Sequence, residues 1–222
     1  MTLAIFDLDN TLLGGDSDYL WGRFLVERRV VDGPEYEREN ERFYREYVAG
    51  TLNIYDFLRF QLRPLAEHEP AQLFAWREQF LQEKIEPVML PAARELLRQH
   101  RQQGHTLLII TATNRFITQP IAERLGVEHL LATEPEQKDG RYTGGVSGIP
   151  CYQDGKVKRL HQWLETQEED LHGSWFYSDS HNDLPLLEQV THPVAVDPDA
   201  TLAAHAERHG WPVISLRDSQ HP

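Results

Sequence analysis

The sequence is poor in cysteine, in positive charge and in long apolar runs, and each shortage excludes a class of protein. Cys151 is the only cysteine, so no disulfide can form within the chain. The chain has 35 acidic and 22 basic residues, which gives a formal net charge of -13. This balance argues against nucleic acid or an anionic membrane surface as the main partner. It leaves room for an anionic small molecule, because a metal and a few basic groups can invert the local field.

The apolar runs are also too short to cross a bilayer, so we expect no membrane partner. The first predicted strand begins almost at Met1 and leaves no room for a signal peptide. With the single cysteine, these features predict a cytoplasmic protein. The 222 residues are enough for one domain with a sizeable core and a smaller insert. The sequence does not fix the oligomeric state, and a monomer and a dimer both stay open.

An apolar run at the start of the chain ends in two carboxylates. Residues 3–6 have the composition of a buried strand, and Asp7 and Asp9 follow directly. Ligands of an open parallel sheet bind just beyond the carboxyl ends of its strands. Two converging carboxylates repel each other unless a cation lies between them, and Mg2+ prefers oxygen ligands. An acidic turn at a strand end is the alternative interpretation of the Asp-x-Asp spacing.

The region from Asp16 to about Glu86 has a different pattern from the rest of the chain. Aromatic and aliphatic residues recur there at helical spacing in four segments, which predicts a helical insert. We expect the third helix to stop before Pro64, because proline disfavours a helix interior. Most of the aromatic rings are predicted to form the interior of the insert.

The remaining sequence alternates between strands and helices. Strands are predicted near 106–110, 130–133, 175–177, 193–196 and 212–214, with a small antiparallel excursion at 142–146. A helix is predicted over 183–190. This alternation predicts an α/β fold with a doubly wound parallel sheet, covered by helices on both faces. Residues 1–15 and 87–222 are predicted to form the core, and 16–86 a helical cap inserted after the first strand.

Polar clusters follow three of the strands, at Asp7 and Asp9, from Thr111 to Asn114, and at Asp179 and Asp183. Lys156 opens the helix before the last of these strands. Carboxylates, a hydroxyl and an ammonium at one sheet edge have the chemistry that phosphoryl transfer needs. A carboxylate can attack phosphorus, while a metal and an ammonium neutralise the phosphoryl oxygens.

In order along the chain, these motifs resemble the four motifs of the haloacid dehalogenase superfamily. The residues concerned are D-L-D-N-T-L at 7–12, the strand ending at Thr111, Lys156, and S-D-S-H-N-D at 178–183. The insert resembles the cap of the phosphoserine phosphatase subgroup, and the sequence looks most similar to its histidinol-phosphate phosphatase members. The resemblance implies a Mg2+-dependent phosphatase that acts on a small-molecule phosphomonoester.

The resemblance also implies roles for the charged residues. Asp7 would be the nucleophile and a metal ligand. Asp9 would be the general acid and base, and its backbone carbonyl would bind the metal. Lys156 would pair with Asp7 and the phosphate, although Lys158 competes for this role. Asp179 would be a metal ligand.

Four further residues receive roles in the same way. Thr111 would donate to the phosphoryl group together with a nearby backbone N–H at Ala112. The family more often has Ser-Gly at this pair, so the backbone donor is a departure from its pattern. Asp183 and Asn182 would lie at the metal or just behind its ligands, and Asn182 is also a candidate to contact substrate.

Asp16, nine residues after Asp7, is the residue that we predict recognises the leaving group. The phosphoserine enzymes have a glutamate there that meets the substrate amine, whereas the alternative role for Asp16 is only to cap a helix. If Asp16 binds an amine, the substrate is an amino-alcohol phosphate. We predict L-histidinol phosphate, whose imidazole could stack on Tyr19, Trp21 or Tyr44. Phosphoserine is the runner-up.

Two other functions stay open: a phosphomutase on the same core, and a phospho-acceptor switch module without enzymatic activity. His205 and His209 lie four residues apart, but they are predicted to lie on a solvated helix face. His181 is predicted to be a surface-loop histidine. The glycines near 144–148 do not form a dinucleotide-binding motif.

Overall fold

The computed structural model describes residues 2–217 and confirms the predicted doubly wound α/β class. Over these residues, seven strands form one sheet: β1 Leu3–Phe6, β2 Thr106–Asn114, β3 His129–Lys138, β4 Arg141–Ser147, β5 Trp175–Ser178, β6 His192–Val196 and β7 Val213–Ile214. Their order across the sheet is β4-β3-β2-β1-β5-β6-β7. Only the pairing of β3 with β4 is antiparallel within the described range, as predicted for the excursion at 142–146.

Helices cover both faces of this sheet. Those of the described residues are α1 Ser17–Glu27, α2 Gly33–Val48, α3 Ile54–Glu67, α4 Pro70–Phe80, α5 Pro91–Gln102, α6 Arg115–Leu125, α7 Asp154–Leu164, α8 Leu184–Leu187 and α9 Ala200–His209. No helix within 2–217 is long and apolar enough to span a membrane.

The position of β1 in the middle of the sheet determines where the polar clusters meet. All four residues of β1 are fully buried, and the strand pairs in parallel with β2 on one side and β5 on the other. The carboxyl ends of these three strands therefore lie side by side. Asp7 and Asp179 follow β1 and β5, and Thr111 lies in β2 just past its last residue paired with β1, so the three come together at one edge.

Helices α1 to α4 form the stretch where the sequence predicts an insert. Asp16 caps α1 by accepting from the backbone N–H of Tyr19 at 2.8 Å. The chain leaves and returns along two adjacent segments: Leu13 forms an antiparallel bridge with Met89, and the Gly14 N–H donates to the Val88 carbonyl at 2.7 Å. The two crossings are thus joined at the base of the helical stretch.

The predicted end of the third helix before Pro64 is wrong. Helix α3 continues to Glu67 with Pro64 inside it. Leu62 and Leu65 on either side are almost completely buried, as is Pro64 itself. Their burial outweighs the roughly 3 kcal/mol that proline costs a helix interior.

The helix predicted over 183–190 is shorter than expected. A 3-10 turn covers His181–Asp183, and α8 then has only four residues. Ser180 caps the turn by accepting from the Asn182 N–H at 3.2 Å. This side-chain hydrogen bond favours a tight turn where the sequence alone suggested the start of a longer helix.

Candidate active site

Lys156 joins two buried carboxylates at the edge of the sheet. Its Nζ lies 2.7 Å from Asp7 Oδ1 and 2.7 Å from Asp183 Oδ1. Burial lowers the pKa of Lys156, but Asp183 and Asp7 outweigh it and raise the pKa above its usual range. Burial raises the pKa of Asp7 to about 7 against the opposing effect of Lys156, with Asp183 and Asp9 adding to the rise. One ammonium therefore does not fully compensate the negative charge collected here.

The start of α7 brings Lys156 this close to β1. A side chain at Gly155 would place its Cβ 2.0 Å from the Pro150 carbonyl oxygen, so only glycine fits this approach. Gln153 precedes the helix with a φ of 48°, a region that a non-glycine residue rarely adopts. Lys158, the alternative lysine, lies exposed on the same helix.

Asp9 is held by three donors. Its Oδ1 accepts from the Ser17 N–H at 2.7 Å, and its Oδ2 accepts from Thr113 Oγ1 at 2.8 Å and from Thr111 Oγ1 at 3.4 Å. The sequence analysis did not assign Thr113. Its spacing was the available signal, because residues two apart on a strand point to the same side.

The backbone at Thr111 and Ala112 does not pair with either neighbouring strand. The ladder from β1 to β2 ends at Ile109, and the ladder from β2 to β3 is interrupted between Ile110 and Asn114. Ala112 lines the cavity above Asp7, and its carbonyl accepts from Thr133 Oγ1 at 2.8 Å. This arrangement leaves a strand end whose backbone can face a ligand.

Asp179 lies half-buried beside the Asp7–Lys156–Asp183 group. Its Oδ1 accepts from Thr11 Oγ1 at 3.1 Å, a contact that the sequence analysis missed. Burial, together with Asp7 and Asp183, raises the pKa of Asp179 well above its usual range. A cation among these carboxylates would relieve their repulsion, so the donors fit a hard divalent cation.

Protein side chains alone do not complete such a site. Within residues 2–217, no three His, Cys, Asp or Glu side chains are grouped so that they could hold a metal ion. Both oxygens of Asp183 already accept from Lys156, and Ser178 Oγ donates to its Oδ2 at 2.6 Å. Mg2+ usually takes only one or two carboxylates and keeps several waters, so Asp7, Asp179 and a backbone oxygen are sufficient.

Asn182 lies between the core and the helical stretch. Its Oδ1 accepts from Gln153 Nε2 at 2.9 Å and from the Tyr152 hydroxyl at 3.1 Å. Its Nδ2 donates to the Tyr47 carbonyl of α2 at 3.2 Å. Because every polar atom of its side chain already has a protein partner, its predicted contact with substrate would require an exchange of one of them.

A cavity extends from these strand ends into the helical stretch. We call Asp7, Asp9, Thr111, Lys156 and Asp183 the floor of the cavity, and Asp16, Asp18, Tyr19 and Tyr44 its wall; all nine line it. Of all the residues that line the cavity within the described chain, Lys156 is the only basic one. The cavity therefore has a strongly negative interior.

The wall combines carboxylates with exposed rings. Asp16 is half-buried, and burial together with the Asp9 carboxylate raises its pKa to about 7. The rings of Tyr19 and Tyr44 lie 6.1 Å apart. The prediction that Trp21 could meet substrate is wrong, because it is 1% exposed and packs on Phe24, Phe80 and Phe116 instead.

The histidines considered in the sequence lie outside the cavity. His181 is half-buried behind the floor, and its Nδ1 lies 2.8 Å from Asp199 Oδ2. The rings of His205 and His209 stack at 4.0 Å on α9.

Known proteins resemble this chain over most of its length. Residues 4–188 match the haloacid dehalogenase-like hydrolase family. The chain is 44% identical over 219 residues to a histidinol-phosphatase from Neisseria meningitidis serogroup C (strain 8013), covering 97% of this chain and 99% of that protein. It is 33% identical over 222 residues to phosphoserine phosphatase SerB1 from Mycobacterium tuberculosis (strain ATCC 25618 / H37Rv), covering 96% of this chain and 70% of that protein.

A solved structure shows the same fold. It belongs to a protein of unknown function from Bordetella pertussis Tohama I and is 45% identical in sequence. The match covers 98% of this chain and 100% of the other, with a TM-score of 0.91. The arrangement of strands and helical stretch is therefore shared over the full length of both chains.

Proposed function

This chain is a phosphatase that belongs to the haloacid dehalogenase-like hydrolase family, and we propose that it hydrolyses a small phosphomonoester through an aspartyl-phosphate on Asp7. The observation that carries the proposal is the floor of the cavity. It holds a buried carboxylate paired with an ammonium at 2.7 Å, beside a second carboxylate held by three donors. A nucleophile, a charge-neutralising cation and an acid/base group are thereby within reach of one phosphoryl group.

In the first step, an oxygen of Asp7 attacks phosphorus and the bond to the leaving oxygen breaks. Lys156 and the Thr111 hydroxyl neutralise and orient the phosphoryl oxygens. Asp9 gives a proton to the leaving alkoxide. The Ser17 N–H and the hydroxyls of Thr111 and Thr113 hold Asp9 in place for this transfer. In the second step, Asp9 takes a proton from water as that water attacks phosphorus. The bond from phosphorus to the Asp7 oxygen breaks, which releases phosphate and restores the Asp7 carboxylate.

The carboxylates of Asp7 and Asp179 and the backbone carbonyl of Asp9 are the groups that would hold Mg2+. The bound cation would stabilise negative charge on the transferring phosphoryl group. Burial raises the pKa of both Asp7 and Asp179, and the Asp183 carboxylate adds to the rise at each, so a cation between them would favour their charged forms.

The wall supports a substrate with an amine. A half-buried carboxylate that lines a cavity favours a cation and gains a charge-assisted hydrogen bond from it, and Asp16 is such a group. Phosphoserine also carries a carboxylate, which would meet five carboxylates in this cavity, with Lys156 already engaged at the floor. L-histidinol phosphate has the amine without the carboxylate. Together with the name of the 44% identical relative, this makes L-histidinol phosphate our choice of substrate.

We assign residues 16–86 to a cap over the core formed by 1–15 and 87–222. The joined crossings near Gly14-Gly15 and Glu86-Pro87 would be its hinges. Trp21 of the cap packs against Phe116 of the core with ring centroids 5.8 Å apart, and against Phe80 within the cap at 5.1 Å. A rotation of the cap must therefore repack these rings as it admits substrate.

A comparison of substrates tests the proposed function. Purified enzyme with Mg2+ is given L-histidinol phosphate, L-phosphoserine and a sugar phosphate without an amine, and free phosphate is followed over many turnovers. We expect the highest kcat/KM for L-histidinol phosphate. A preference for phosphoserine or for the sugar phosphate would overturn the choice of substrate while leaving a phosphatase.

The same assay separates the two rival functions. A phosphomutase would transfer the phosphoryl group to a second hydroxyl and release little free phosphate. A phospho-acceptor switch would bind one phosphoryl group per chain and stop. Sustained release of phosphate is the result expected of a hydrolase.

A further inference from the structure

Asp18 is a buried carboxylate on the cavity wall that has no part in the chemistry described so far. It lies two residues beyond Asp16, in the first turn of α1, and is 3% exposed. Asn114 Nδ2 donates to its Oδ1 at 3.3 Å. The Thr113 hydroxyl also favours the charged form of Asp18, but it donates to Asp9 Oδ2 at 2.8 Å and has only one proton to give. Asp18 lines the cavity, so its carboxylate can accept a further hydrogen bond from a ligand there.

This corner of the cavity has more acceptors than donors. The Oδ1 of Asn114 is buried and has no hydrogen-bond partner among the described residues. Burial, together with the carboxylates of Asp16 and Asp9, raises the pKa of Asp18 well above its usual range. A buried carboxylate with few donors is costly to keep, and a ligand that brings an N–H donor would lower that cost.

Aromatic rings face the same space. Phe43 and Phe57, whose ring centroids are 5.4 Å apart, line the cavity together with Tyr19 and Tyr44. A ligand with a flat ring that carries an N–H group would fit this space. The protein's aromatic rings can pack on the face of the ligand ring, and a carboxylate can accept from its N–H. An aliphatic amine alone would leave this part of the cavity unfilled.

We propose that Asp18 is a specificity-determining residue that binds a second nitrogen donor of the leaving group, while Asp16 binds the first. This inference rests on the proposed function, because it assumes that the phosphoryl group of the substrate binds at the floor of the cavity. A leaving alcohol that carries an amine and a flat ring with an N–H, as histidinol does, presents both donors. An amino-alcohol without a ring presents only one.

The first experiment compares two substrates that differ in the ring. The ratio of kcat/KM for L-histidinol phosphate to that for O-phosphoethanolamine is measured for wild type, Asp18→Asn and Asp56→Asn. Asp56 is the matched control, because it is also a first-turn acid of a cap helix but is exposed and lies outside the cavity. We expect the ratio to fall about 10- to 100-fold in Asp18→Asn, the usual effect of losing a charged hydrogen bond, and to stay unchanged in Asp56→Asn.

The second experiment needs no turnover. Binding of L-histidinol, the product alcohol, is measured by calorimetry to wild type and to Asp18→Asn. We expect the affinity to fall by a similar factor. If wild type bound L-histidinol but released no phosphate from its phosphate ester, the proposed function would fail while the role of Asp18 remained supported.

Two results would overturn the proposal. One is an equal loss on both substrates with a lower melting temperature, which would make Asp18 a helix-stabilising acid only. The other is unchanged binding of L-histidinol. If circular dichroism shows that the asparagine variant does not fold, Asp18→Ser removes the carboxylate without adding bulk, and the same expectations apply to it.

Discussion

The floor and the wall of the cavity hold their carboxylates in opposite ways. At the floor, Asp7 and Asp183 share an ammonium at 2.7 Å, and Asp9 accepts from a backbone N–H and two hydroxyls. On the wall, Asp16 accepts from helix N–H groups, Asp18 accepts from the Asn114 amide at 3.3 Å, and neither is paired with a cation among the described residues. The floor is thus arranged before substrate arrives, whereas the wall is left for the leaving group to complete.

This difference separates two tasks within one cavity. Groups that stabilise a transition state gain from being fixed in advance, because they need no reorganisation during the reaction. Groups that select a substrate gain from an unmet hydrogen bond, because the wrong substrate leaves it unmet. Changes at the floor should therefore reduce hydrolysis of every phosphate ester, and changes on the wall should alter the choice among esters.

The largest effect is expected at Asp7. Asp7→Asn cannot form the aspartyl-phosphate, so phosphate release should fall by about 10⁴-fold or more with every substrate. Asp154→Asn is the control, because Asp154 is an exposed acid at the start of α7. Steady-state assays with L-histidinol phosphate and p-nitrophenyl phosphate check this. Near-normal turnover in Asp7→Asn would refute the covalent mechanism.

Removal of divalent cations should also stop the reaction at the floor. EDTA is expected to abolish phosphate release, and added Mg2+ to restore it. Ca2+ should restore it poorly, because its larger and looser coordination misplaces the oxygens that it binds. The measurement is the initial rate after dialysis and metal addition. Full activity in metal-free buffer would remove Asp179 from its proposed role.

Lys156→Met should affect both stability and rate. It leaves Asp7 and Asp183 facing each other without a cation, and breaking a buried ion pair on one side costs about 3–5 kcal/mol. The rate should fall about 10²- to 10³-fold, as for loss of one charge-stabilising donor. Chemical unfolding and kinetics with both substrates measure the two effects. Lys158→Met, two residues along the same helix and exposed, should change neither.

The pH dependence should distinguish the wall from the floor. Protonation of Asp16 below its pKa of about 7 removes the charge that attracts an amine. The ratio of kcat/KM for O-phosphoethanolamine to that for p-nitrophenyl phosphate, which has no amine, should therefore fall several-fold between pH 8 and pH 6. Effects of pH on the floor change kcat/KM for both substrates and therefore cancel in the ratio. In Asp16→Asn, this ratio should no longer change with pH. If the ratio in the variant still fell between pH 8 and pH 6, Asp16 would only cap the helix.

The sequence predicted the floor better than the wall, for a physical reason. Asp7, Thr111 and Asp179 follow buried strands, and the ends of parallel strands converge whatever the details of packing. Thr11 was missed because its contact depends on a turn that the pattern of residues does not reveal. Thr113 was missed because its contact lies in an interrupted ladder, although its spacing from Thr111 favoured the same side of the strand.

The wall depends on how the helices pack, and periodicity does not specify that. Trp21 and Tyr19 belong to the same helical stripe, yet Trp21 is buried against Phe116 while Tyr19 is 38% exposed and lines the cavity. Asp18 gains its position from Asn114, 96 residues away in sequence. The extent of α3 through Pro64 likewise followed from burial in the folded chain.

The most direct test of the division between floor and wall is the selectivity of Asp16→Asn. Its kcat/KM is measured with L-histidinol phosphate and with p-nitrophenyl phosphate, which uses the floor but offers no amine. The account predicts a loss of about 10- to 100-fold with L-histidinol phosphate and a much smaller change with p-nitrophenyl phosphate. Equal losses with both substrates would contradict it, because Asp16 would then act on the chemistry and not on the leaving group.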